Sequence, residues 1–128
     1  MKYLMLAYTN AKAWEELLAS WDPTAPMPPE VQAACDFYEQ LGKELAETGE
    51  FVTTEGLADP SHTKTVRRTD GGVVTTDGPY AEVKEVLVSY AILDCASHER
   101  VMEIAARVCD AVGDTVEVRP IGSGPGPF

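Results

Sequence analysis

An α+β fold is predicted by three observations on this 128-residue chain. Strand-like apolar runs alternate with two long segments of helical period, a turn-rich hairpin sits between the two halves, and the first and longest strands are apolar on both alternating faces. Strand, helix, strand, inserted β-hairpin, strand, helix, strand is the order of a ferredoxin-like split βαβ domain, with its two long helices on one face of an antiparallel sheet.

The elements follow in order. Tyr3-Leu4-Met5-Leu6-Ala7-Tyr8 offers no polar face, which predicts a central strand covered on each side. Asn10 to Ser20 gathers Trp14, Leu17 and Leu18 on one side of a short helix. Pro23, Pro26, Pro28 and Pro29 then fix φ and remove amide donors, so an extended connector is expected. From Glu30 onward Val31, Ala34, Cys35, Tyr38, Leu41 and Leu45 recur at spacings of three and four, and Gly49 suits the end of that helix. Phe51 to Leu57 reads as a strand, with Gly56 a place for a bulge or a close approach. Asp59-Pro60-Ser61 is a turn, and His62 to Arg67 with Val73 to Thr76 flank Asp70-Gly71-Gly72 as a hairpin. Val86 to Cys95 is a long strand. Ser97 caps a second long helix that buries Val101, Ile104, Ala105, Val108 and Val112, and Gly113 stops it. Thr115 to Ile121 is the last strand. One domain over 1–121 and a flexible Gly/Pro-rich tail over 122–128 are expected.

Charge and composition exclude several functions. Acidic residues outnumber basic ones 21 to 10, a formal charge of -11 that repels phosphate backbones and argues against direct nucleic-acid binding or docking on an anionic membrane. The three cysteines, Cys35, Cys95 and Cys109, have neither disulfide-framework nor zinc spacing, so reduced, partly buried thiols are expected. No stretch approaches the ~20 apolar residues of a membrane span, and the short run from Tyr3 to Tyr8 lacks the form of a signal peptide. A cytoplasmic protein is expected. The glycines form no phosphate loop and the two histidines, His62 and His98, no metal-ligand pattern, so neither a cofactor nor a metal is called for.

The stretch with most character is Thr76-Asp77-Gly78-Pro79-Tyr80-Ala81-Glu82-Val83-Lys84-Glu85. It resembles the signature of the DGPF proteins of the YCII-related superfamily, with Tyr80 where the name has phenylalanine. Flanking matches at Met1 to Leu6, Glu55-Gly56-Leu57, Val66-Arg67, Tyr90 and Glu117 to Ile121 extend the resemblance over nearly the whole chain. It implies the dimeric α/β-barrel type of fold, in which two sheets close each other's bare face to make a homodimer; the apolar second faces of the strands holding Leu4, Leu6, Val88 and Tyr90 suit such pairing. Related DGPF proteins are often encoded beside extracytoplasmic-function sigma factors, which implies a regulatory association. Some shorter relatives look like enzymes built on a His-Asp pair, where this chain has Pro28-Pro29-Glu30-Val31 and Val112-Gly113-Asp114-Thr115 instead.

The candidate site residues cluster at strand ends. Asp77, on a rigid corner, is suited to act as a general base, and His62 is the imidazole placed to share that work. Turn chemistry alone also accounts for Asp77, as a side chain accepting from nearby backbone amides. Glu55, Tyr8, Tyr80, Glu82, Lys84 and Tyr90 are candidate ligand-binding residues, against the plainer reading of charged surface and packed tyrosines. Two functions follow: a small-molecule site near the Asp77-Gly78-Pro79 corner, for binding or for proton-transfer or lyase-type chemistry, or a non-catalytic accessory role beside a sigma factor.

Overall fold

The structure, a computed structural model, describes residues 1–79 and 84–122. The elements are β1 (Lys2–Asn10), α1 (Ala11–Ala19), α2 (Pro29–Thr48), β2 (Phe51–Gly56), a 3-10 turn (Pro60–His62), β3 (Lys64–Thr69), β4 (Gly72–Asp77), β5 (Glu85–Asp94), α3 (His98–Val112) and β6 (Thr115–Pro120). The mixed α+β fold is thus as expected. β1 pairs antiparallel with both β5 and β6, and β2 pairs antiparallel with β5, giving the four-stranded order β2-β5-β1-β6 that a split βαβ domain requires.

Local chemistry sets the helix limits. Asn10 and Ser97 each accept from a backbone amide three residues on, Ala13 at 2.9 Å and Arg100 at 3.2 Å, satisfying donors that the first helical turn leaves open. α2 begins on Pro29, whose missing amide costs nothing at that position. Gly49 and Gly113 end α2 and α3 at φ of 81° and 82°, a left-handed conformation that a side chain would strain.

Alternation along β1 puts Tyr3, Met5 and Ala7 in the core. Tyr3 and Met5 join Leu93 of β5, Leu41 and Leu45 of α2, and Val101, Ile104, Ala105 and Val108 of α3 in one cluster, where Val101 and Ile104 are fully buried. Each such aliphatic side chain contributes about 1.5–3 kcal/mol by leaving water. The opposite face of the sheet carries Leu4, Leu6, Tyr90 and Ile92, all half-buried, in register as Leu4 with Ile92 and Leu6 with Tyr90.

The inserted hairpin forms its own two-stranded sheet, running from Lys64 opposite Asp77 to Thr69 opposite Gly72, around the Asp70-Gly71 loop. Several details differ from expectation. His62 belongs to the 3-10 turn, not to a strand, because Pro60 fixes φ and the Asp59 carboxylate accepts from the Ser61 amide at 3.0 Å. The sheet register shifts between Phe51 and Thr53 and between Ala7 and Tyr8, whereas Gly56 pairs regularly with Ser89. Cys95 is buried, but Cys35 and Cys109 are exposed; α2 turns Phe37, Leu41 and Leu45 to the core, which leaves Cys35 outside the buried stripe. The expected tail lies, beyond Gly122, outside the described residues.

Candidate functional site

Tyr8 sits just past the β1 register shift, near the end of the strand, where the sheet opens into a cleft of about 570 Å³. Three separated segments frame it. The first is Tyr8 itself. The second is the loop from Leu57 to Thr63, anchored to β5 by the Leu57 amide donating to the Val88 carbonyl at 2.9 Å. The third is Pro79 with the start of β5, where Glu85, Val86 and Leu87 reach the cleft. The Ala11 amide donates to the Lys84 carbonyl at 2.8 Å, holding this third segment against the end of β1. Leu57, Ala58, Pro60, Val86 and Leu87 make the walls largely apolar, and Tyr8, His62 and Glu85 are polar groups set among them.

Tyr8 is held in place. Its hydroxyl donates to Glu117 Oε2 at 3.0 Å, a diagonal contact from β1 to β6. Partial burial, reinforced by that carboxylate, pushes the Tyr8 phenol above its ordinary range. Glu85 Oε1 accepts from Thr115 Oγ1 at 2.9 Å. Tyr8, Glu85, Thr115 and Glu117 line a shallower recess, so the cleft runs on to the edge of β6. Close by, Asp114 has its carboxyl pushed up, first by burial and then by the Glu85 charge, against a hydrogen bond from Thr9. Among the described residues no group of three or more His, Cys, Asp or Glu is placed to hold a metal ion.

The expected site residues are dispersed in part. Tyr8 and His62 come together at the cleft. Asp77 ends β4 with its side chain 83% exposed and pairs with Lys64 across the hairpin, a cross-strand ion pair; the amides at 80–83 that a corner cap would engage lie outside the described residues. The corner behind it is built by backbone: the Gly78 amide donates to the Thr63 carbonyl at 2.8 Å, and Thr65 Oγ1 donates to the Gly78 carbonyl at 2.7 Å. Glu55 and Tyr90 face each other across β2 and β5, with Glu55 exposed on the sheet edge. Neither lines the cleft, and nor does Lys84, whose contribution is its carbonyl. Tyr80 and Glu82, with the helical turn expected after the corner, lie outside the described residues.

Leu57, Leu87, Glu85 and Glu117 are members of this region that sequence reasoning did not single out as site residues. One signal was present: alternation along β6 places Glu117 on the same face as Arg119 and Thr115, opposite the core-facing Val116 and Val118.

A split βαβ sheet with an apolar cleft at the end of its central strand defines the class. The family model for the YCII-related domain matches residues 1–123, and the chain belongs to that family. It is similar, at 26% identity over 123 residues, to an uncharacterized protein of Rhizobium meliloti (strain 1021), with 94% of this chain and 92% of the other covered. No helix among the described residues is long and apolar enough to cross a membrane.

Proposed function

We propose that this YCII-related protein binds a small molecule in the cleft beside Tyr8, His62 and Glu85. The observation that carries the reading is the convergence of three chain segments on an apolar cavity of about 570 Å³, a size suited to a metabolite, with polar groups at defined places. Where the bound molecule undergoes proton transfer or a lyase-type step, His62 is the group to take or return the proton. Tyr8, oriented by Glu117, supplies a hydroxyl on the other side. Asp77 is left out of this chemistry, because its carboxylate is engaged on the hairpin. The test is a thermal-shift panel of metabolites on the wild type and on Ala58→Trp, which fills the cleft from an exposed loop position. A melting-temperature rise present in the wild type and lost in the variant supports the site; a rise that survives the substitution contradicts it.

The protein is further proposed to act in the cytoplasm as a homodimer of the dimeric α/β-barrel type. Support comes from the half-buried row of Leu4, Leu6, Tyr90 and Ile92 on the sheet face opposite α2 and α3. Light scattering at micromolar concentration should give twice the chain mass, and a monomer would remove the barrel.

The alternative, an accessory role beside a sigma factor, draws support from the hairpin. Val66 and Val73 share one of its faces and are 63% and 72% exposed. Copurification with a coexpressed sigma factor, abolished by Val66→Asp, would favour that role.

A further inference from the structure

We propose that the cleft takes a cationic ligand, a compact and largely apolar molecule carrying one protonated amine, with the amine seated where Glu85 and Glu117 flank Tyr8. This rests on the cleft being a small-molecule site and adds the chemical class of what fills it.

The lining sets the sign of the charge. Among the described residues, the ionisable side chains lining the cleft are Tyr8, Asp59, His62 and Glu85, with no Lys or Arg. The adjoining recess adds Glu117, again with no base. Glu85 and Glu117 are held by neutral donors, the hydroxyls of Thr115 at 2.9 Å and Tyr8 at 3.0 Å. Neither meets a cation within salt-bridge distance among the described residues, whereas Glu39, Glu44, Glu50, Glu103, Asp77 and Asp94 do. Arg119, two residues from Glu117 on the same face of β6, makes no salt bridge with it and lines neither the cleft nor the recess. Lys64 is engaged by Asp77, and Lys84 is exposed and outside the lining.

Glu85 and Glu117, exposed at the rim and paired with hydroxyls instead of cations, make one end of an apolar cavity negative, and the low-dielectric walls beside them concentrate that potential. The Asp114 carboxyl is pushed up first by burial, and the Glu85 charge adds to that rise. An anionic ligand would meet this field and the chain's formal charge of -11. An ammonium would compensate it, and its three donors match acceptor oxygens on both glutamates. The apolar remainder would lie along Leu57, Val86 and Leu87.

Titration calorimetry on two matched series tests the inference: tryptamine, tryptophol and indoleacetate, then cyclohexylmethylamine, cyclohexylmethanol and cyclohexanecarboxylate. In at least one series the amine should bind about tenfold or more tighter than the alcohol, the increment of a charge-assisted hydrogen bond, and the acid weakest. Glu85→Gln and Glu117→Gln should each narrow the amine-to-alcohol ratio by weakening the amine more than the alcohol. Binding in which the alcohol or the acid equals the amine overturns the cationic class while leaving the site in place, and so does a ratio indifferent to both variants. Binding by none of the six sinks both the class and the site.

Discussion

The Tyr8 hydroxyl donates to Glu117 Oε2 at 3.0 Å, joining β1 to β6 through residues 109 positions apart at the mouth of the cleft. The contact fixes the direction of the phenol and holds its proton, because a phenolate would face a carboxylate in a partly desolvated place. Replacing Glu117 with Gln removes the negative partner and keeps an acceptor. Tyrosine ionisation followed by ultraviolet absorbance should then show one residue of the variant titrating at lower pH than in the wild type. Superimposable titrations would mean that the contact does not persist in solution.

A second prediction concerns the clamp between α3 and the end of α2. Arg100 grips Glu50 through Nε to Oε2 at 2.9 Å and a terminal nitrogen to Oε1 at 3.0 Å. This outweighs the burial that acts the other way and holds the Glu50 carboxyl at about 2, against an ordinary 4.5. A depressed carboxylate stabilises the fold above its ordinary value, and that stabilisation is lost as pH falls from 4.5 toward 2. Arg100→Met should cost about 1–2 kcal/mol at neutral pH, after allowance for solvent screening. Urea unfolding across that acid range should show the wild-type advantage shrinking. A pH-independent difference would assign the effect to packing by the Arg100 stem.

For Asp77 the expected outcome is a small effect. Its pair with Lys64 is exposed on both sides, at 83% and 65%, and such pairs contribute roughly 0.2–1 kcal/mol. Asp77→Asn and Asp77→Ala should therefore lose similar, small amounts of stability and leave cleft binding unchanged. A much larger loss for Ala than for Asn would support the backbone-capping role.

Gly42 lies inside α2, and a Cβ built there meets nothing within 4 Å. Gly42→Ala should stabilise the protein by about 0.5–1 kcal/mol, since alanine loses less conformational freedom on entering a helix. Calorimetric melting checks this. A fall in melting temperature would show that the small gap lined by Gly42, Tyr38 and Leu41 closes in solution.

Most of the fold was legible because its signals are local. Ser97, Gly49 and Gly113 mark helix ends by their own chemistry, and Asp70-Gly71-Gly72 marks the hairpin. The cleft was legible only in fragments, since it exists where Tyr8, the Leu57 to Thr63 loop and the start of β5 meet in space. The Asp-Gly-Pro corner drew attention to Asp77 through turn chemistry, yet the β4 register opposes Asp77 to Lys64, while Pro79, two residues on, reaches the cleft. Glu117 stood in an alternating strand like any exposed charge, and its partner Tyr8 is brought to it by the pairing of β1 with β6.

The cleft as a small-molecule site is tested most directly by amide and methyl NMR of the labelled protein during a titration with the amine and alcohol probes. Chemical-shift changes should concentrate on Tyr8, Leu57, His62, Glu85 and Leu87 and saturate with a single affinity. Changes spread over the surface, or centred on the hairpin instead, would contradict it.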